Sequence, residues 1–124
     1  MQTQKQAQQI YPKEGEVWWI GLDPTLGHEQ NGRRPVVVVS PSDFNRVAGR
    51  IIAIPCTTKA APAGTFRAQL QVPISSLPQA TFAMPDQVRV LNWHARTAVC
   101  RGEAATAAEL EAIRERLKAL QGII

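Results

Sequence analysis

Four consecutive valines, Val36 to Val39, stand between Pro35 and Ser40-Pro41 in this 124-residue chain. β-Branched residues crowd a helix but pack well on a pleated surface, so the run reads as a strand over Pro35–Ser40. An unbroken apolar strand suggests burial on both faces rather than one. Pro35 fits at its first position, where no ladder donor is needed. Other strands must therefore flank it, with apolar cover above and below.

Val17–Leu22 (VWWIGL) supplies a neighbour, with Gly15 before it and Asp23-Pro24 after it. Trp18 and Trp19 should point to opposite faces of that strand, one into the core and one toward a dimer or partner. Arg50–Pro55 reads as a third strand, set up by a turn at Ala48-Gly49. Phe66–Val72 and Gln87–Leu91 alternate apolar and polar residues, so each is predicted as a strand with an exposed face. Thr97–Cys100 offers a short sixth strand, and Ala60–Thr65, small residues with Pro and Gly, a flexible loop.

The last segment changes period. Thr106 and Glu109 form a capping box, and Leu110, Ile113, Leu117 and Leu120 recur at three, four and three. An amphipathic helix over about 107–121, ending near Gly122 and packed on the sheet, is expected. Ile123 and Ile124 would tuck into the core or a partner. The fold class is mainly β with α: a small, strongly curved sheet or barrel with a C-terminal helix. One domain over 15–122 is expected, behind a flexible lead-in of residues 1–14.

Apolar residues make up 44% of the chain, ordinary for a soluble protein. No run approaches the roughly 18 apolar residues of a membrane helix. The Gln-rich start, MQTQKQAQQIYPKEGE, has no apolar core and is not a signal peptide, so a cytosolic protein is expected. Cys56 and Cys100 lack metal-ligand spacing and read as packed thiols rather than a disulfide.

Charge is concentrated in the middle. From Pro24 to Arg101 nine basic side chains face three acidic ones, a surplus of six, against +4 for the whole chain. Arginine outnumbers lysine there eight to one, and its planar fork suits phosphate and base edges. Such a body suits a polyanionic partner.

Three segments carry candidate chemistry. Asp23, His28, Glu29, Gln30, Arg33 and Arg34 crowd twelve positions directly before the valine strand, bent by Pro24, Gly27 and Gly32. Polar groups converging off a rigid strand are where chemistry tends to sit. Thr57, Thr58 and Lys59 follow Pro55-Cys56 at the end of the third strand, where two hydroxyls and an ammonium suit a phosphate. Asp86 and Gln87 open the next strand, an acid and an amide able to read base edges or to orient an arginine.

In this order the segments resemble the MazF/PemK (Kid-like) toxin family of type II toxin–antitoxin systems. The resemblance rests on Gly15-Glu16-Val17-Trp18-Trp19, Asp23-Pro24-Thr25 with Gly27, Glu29-Gln30 with Gly32, and Arg34-Pro35. It continues through Ser40-Pro41, Phe44-Asn45, Pro55-Cys56-Thr57-Thr58, Asp86-Gln87-Val88, Trp93 and Ala95-Arg96. It implies an SH3-like barrel, a homodimer, and cofactor-free, metal-independent cleavage of single-stranded RNA. A cognate antitoxin with an acidic, disordered tail is the partner implied, and the basic body suits it.

The resemblance assigns Arg34, Thr57 and Glu29 as catalytic. Arg34 keeps its charge and suits stabilisation of a phosphorane; Thr57 would hold it, and Glu29 is the candidate base. His28, Gln30, Arg33, Thr58, Lys59, Asp86 and Gln87 are the candidate RNA contacts. His28 stands where the family commonly has a small residue, and a histidine there can share proton transfer. Met84 occupies a position, two before the aspartate, that is basic in some members, so no second catalytic arginine carries over. His94 reads as structural. Two alternatives stay open: a catalytically silent SH3-like module that binds RNA, DNA or antitoxin, and a gyrase-inhibiting toxin of the same fold.

Overall fold

β-Branched and aromatic runs pair as the sequence requires in the computed structural model, which describes residues 10–22 and 32–122. β1 (Glu16–Gly21) lies antiparallel to β2 (Arg33–Val38), with Trp18 opposite Val36 and Trp19 opposite Pro35. α1 (Ser42–Ala48) leads into β3 (Arg50–Thr57), which returns along β2. Next come α2 (Phe66–Leu70), β4 (Val72–Pro73), β5 (Phe82–Ala83) and a 3₁₀ turn at Pro85–Gln87. β6 (Arg89–Asn92), β7 (Val99–Ala104) and α3 (Ala107–Gln121) complete the described chain.

The strand order is β4-β5-β3-β2-β1-β7, with β6 also on β3. β3 is shared: β2 lies along one edge, while the other is taken first by β6 at Arg50–Ala53 and then by β5 at Cys56–Thr57. Two partners on one edge at different heights require a strong twist, and the sheet curls accordingly.

Both faces of the valine strand are covered, as its composition demands. Val36, Val37 and Val38 are all fully buried. Val37 joins Val17, Ile54, Cys56 and Ile113 of α3 on one face. Val36 and Val38 join Trp18, Ile20, Ile51, Ala53 and Leu91 on the other. Trp18 is a core residue, whereas Trp19 points to the α3 side and is only half-buried.

α3 has the predicted capping box: the Thr106 hydroxyl accepts from the Glu109 amide, and the Glu109 carboxylate accepts from the Thr106 amide. Gly122 takes the left-handed conformation (φ 74°) that ends the helix without a Cβ clash. Ile113 is its fully buried contact, whereas Leu120, at the end of the apolar stripe, is exposed. Arg114 fixes the helix further, pairing with Glu14 and donating to the Val39 carbonyl at 3.2 Å.

α1 is absent from the sequence reading, which saw only a turn at Ala48-Gly49. Gly49 (φ 70°) is instead the helix's C-terminal cap, its amide bonded to the Asn45 carbonyl. Asn45 explains the Phe44-Asn45 motif. Its buried amide donates to the carbonyls of Pro12 (2.9 Å) and Ser40 (3.2 Å) and accepts from the Ser40 hydroxyl. That hydroxyl also accepts from the Ile52 amide, and the Asn45 carbonyl accepts from the Trp93 indole at 3.0 Å.

Four other expectations need correction. Phe66–Val72 is a short helix followed by a two-residue strand, not one strand. The Thr65 hydroxyl caps that helix by accepting from the Ala68 amide at 3.2 Å, and Phe66 lies 71% exposed, so no pleated surface forms. Asp86 and Gln87 sit in a 3₁₀ turn begun by Pro85, and β6 starts only at Arg89. The sixth expected strand starts at Val99, because Thr97 adopts a left-handed turn conformation (φ 51°). β2 begins at Arg33, two residues before Pro35. The last β2–β3 pair is Val36 with Pro55, so at Pro35 only β1 is a register partner.

Candidate active site

Arg33 and Arg34 belong to a strand rather than a loop, and this sets the geometry. In β2–β3, Val36 pairs with Pro55, Val37 with Ile54 and Val38 with Ala53. Arg34 and Thr57 lie beyond the last of these pairs: Arg34 pairs with Ile20 of β1, and Thr57, the last residue of β3, with Phe82 of β5. The arginine and the hydroxyl thus stand at neighbouring ends of two antiparallel strands.

Two clefts flank these ends. One, of about 490 Å³, is lined by Trp19, Arg33, Arg34, Pro35, Thr58, Leu77, Pro78, Gln79 and Thr81. The other, of about 470 Å³, is lined by Thr57, Lys59, Arg67, Gln71, Met84 and the loop 60–65. Arg33, Arg34 and Thr58 are therefore brought together, while Thr57 and Lys59 line the neighbouring groove. Alternation along the chain explains the division, since Thr57 and Thr58 project to opposite sides.

Beside the first cleft, the Arg33 Nε is buried and has no hydrogen-bond partner among the described residues. A buried donor without a partner costs free energy. The Trp19 wall is braced: its indole donates to Glu103 at 2.9 Å, and the Arg101 guanidinium lies 3.9 Å from its ring centre.

Thr57 accepts from the Lys59 amide at 3.2 Å, an arrangement that turns the chain at the strand end. Asp86 is ion-paired with Arg67, and Gln87 is exposed. Arg67, which the sequence reading did not select, lies on α2, and the misread strand hid it. His28, Glu29 and Gln30 fall outside the described residues. The chain leading to them is held by two arginines: Arg96 donates to the Gly21 carbonyl at 2.8 Å, and Arg89 to that of Leu22 at 3.1 Å.

Neither cysteine forms a disulfide. Burial pushes the Cys56 thiol up to about 12, so it is a packed thiol rather than a nucleophile. His94 is exposed, its ring 4.5 Å from that of Trp93. Among the described residues no three His, Cys, Asp or Glu side chains group as a metal site. No helix among them is long and apolar enough to cross a membrane.

A curled sheet with a C-terminal helix, and two clefts beside the neighbouring ends of β2 and β3, define a small, mainly β fold. Residues 13–120 match the family model described as PemK-like, MazF-like toxin of type II toxin–antitoxin system. The chain belongs to that family. The endoribonuclease toxin MazF of Escherichia coli (strain K12) is 35% identical over 111 residues, covering 90% of this chain and 95% of that protein. The crystal structure of MazF (Form-I) from Deinococcus radiodurans superposes with a TM-score of 0.74 at 32% identity, covering 91% of this chain and 98% of that one. A MazE-MazF structure (Form-II) from the same organism gives 0.75 at 28% identity, covering 93% and 99%.

Proposed function

We propose that this MazF-like endoribonuclease toxin cuts single-stranded RNA at short sequences, using the RNA's own 2′-hydroxyl as nucleophile. Cleavage of messenger RNA in the cytoplasm would stop translation and growth. The observation that supports this reading is the match of residues 13–120 to the PemK-like, MazF-like toxin family, together with Arg34 and Thr57 at neighbouring ends of β2 and β3.

In the proposed reaction Glu29 takes the proton of the 2′-hydroxyl, and the oxygen attacks the adjacent phosphorus. The bond from phosphorus to the 5′-oxygen breaks, and that oxygen takes up a proton from water. The products are a 2′,3′-cyclic phosphate and a 5′-hydroxyl. Arg34 stabilises the charge that develops on the phosphorane, in the way preorganised donors do at an oxyanion. Thr57 holds Arg34 and the phosphate. Arg33, Thr58 and Lys59 contact the RNA backbone, while His28, Gln30, Asp86 and Gln87 contribute to recognition. No cofactor has a role in these steps.

The Deinococcus radiodurans MazE-MazF structure is a toxin held with its antitoxin. By extension, an antitoxin with an acidic tail would cover the basic surface of this chain. We also take residues 15–122 as a single domain that works as a homodimer.

The test is incubation of purified protein with RNA in EDTA, followed by mapping of the 5′ ends. Cleavage at recurrent short sequences with 5′-hydroxyl ends is expected. A strict need for added magnesium, or 5′-phosphate ends, would falsify the mechanism.

A further inference from the structure

The groove of about 470 Å³ beside Thr57 has a preformed wall. Gln71 clamps it from behind: its Oε1 accepts from the Ala61 amide at 2.8 Å, and its Nε2 donates to the Lys59 carbonyl at 3.2 Å. Thr65 caps α2, and Arg67 projects from the first turn of that helix. Two cations, Lys59 and Arg67, thus line a groove that also contains Thr57.

Arg67 is not loose. Its Nη2 lies 3.4 Å from Asp86 Oδ2, and the side chains are 55% and 18% exposed respectively. The other carboxylate oxygen, Oδ1, is buried and takes no hydrogen bond among the described residues. The charge of Asp86 is therefore directed at one guanidinium, and its second oxygen is turned away from solvent. A single-point pair leaves most of the five guanidinium N–H donors open. Holding a long side chain in place also lowers the rotamer entropy lost when it binds.

We propose that Arg67 is a phosphate anchor for the RNA strand in this groove, and that Asp86 is a positioning residue that acts through Arg67. The inference rests on the RNA-cleaving function proposed above. Thr57 lines the same groove, so the phosphate held by Arg67 flanks the one at which cleavage occurs. Met84, on the same wall, supplies apolar surface and no charge. Asp86 then contributes to RNA binding without touching a base.

The test uses the full-length protein, cleavage kinetics, and binding of an RNA oligonucleotide made uncleavable by a 2′-deoxy substitution at its mapped cut. Arg67→Ala should raise KM about tenfold with kcat unchanged, in keeping with loss of one charge-assisted hydrogen bond. The slope of log affinity against log salt should become shallower by about 0.7, the contribution of one phosphate contact on a single strand. Arg67→Lys should keep the slope and lose part of the affinity. Asp86→Asn should weaken binding in the wild-type background and have no effect on top of Arg67→Ala.

An unchanged salt slope in Arg67→Ala overturns the anchor. An Asp86→Asn effect that persists in full with Arg67→Ala means that Asp86 meets the RNA itself, and overturns the positioning role. Either result in a protein that still cleaves RNA leaves the proposed function standing. A wild-type protein that neither binds nor cleaves RNA removes both.

Discussion

The Arg96 guanidinium donates to the carbonyl of Gly21 at 2.8 Å, joining two residues 75 positions apart in sequence. Gly21 is the last residue of β1, so the bond fixes where the chain enters the segment that carries Glu29. A misplacement of about 1 Å far from the chemistry can cost about a hundredfold in rate. Arg96→Ala is therefore expected to lower kcat by about tenfold or more while shifting the melting temperature little. Comparing cleavage rate with thermal melting checks it; equal losses in both would make Arg96 merely structural.

Arg34→Ala and Thr57→Ala should each reduce cleavage by two to three orders of magnitude, roughly the 2.7–4 kcal/mol that one preorganised donor supplies to a transition state. Arg34→Lys should also fail, since an ammonium cannot reproduce a planar fork. Single-turnover cleavage of one RNA oligonucleotide, with circular dichroism as the fold control, measures this. A fully active Arg34→Lys variant would remove the bidentate role.

Replacing the 2′-hydroxyl by hydrogen at only the nucleotide 5′ of the cut should block cleavage and spare much of the binding. That oxygen is the proposed nucleophile, whereas phosphates supply much of the affinity. The substituted oligonucleotide is then a competitive inhibitor. If it is cut at the same position and rate, water attacks directly and Glu29 loses its role.

Glu109 gives a prediction about pH. Partial burial raises its pKa, but hydrogen bonds from Thr106 and Ser75 outweigh this and leave it below the usual carboxylate value. A folded-state value below the unfolded one stabilises the fold near neutrality, and that contribution is lost as pH falls through the folded value. Glutamine also completes a capping box but does not ionise. The stability gap between wild type and Glu109→Gln should therefore narrow between about pH 5 and pH 3 in urea titrations. A gap independent of pH would show that the carboxylate charge contributes nothing.

How far the sequence could be read depended on how far local chemistry decided each element. The valine strand and the terminal helix were legible because periodicity and capping act within a few residues. Arg34 and Thr57 were singled out only through family resemblance; that β2 and β3 bring them to neighbouring strand ends is a property of the ladder, which no local pattern encodes. Phe66–Val72 misled because the five residues Phe66–Leu70 within it satisfy a two-residue period and a short helix equally well. The Thr65 cap ahead of Arg67, Ala68, Gln69 and Leu70, all good helix formers, was the signal that could have decided it. Arg67 went unnoticed for the same reason, since its partner Asp86 lies nineteen positions away.

The sharing of β3 between β2, β6 and β5 also bears on how such a toxin is made. While the ribosome is still adding residue 80, β3 has β2 on one edge and nothing on the other, and α3 does not yet exist to cover Val37 and Ile54. Proteolysis of released chains ending at Asn92 and at Gln121 should show protection of β3 only in the longer one. Both edges of β3 and its apolar cover therefore close only once residues far along the chain, Leu91 and Ile113, are in place.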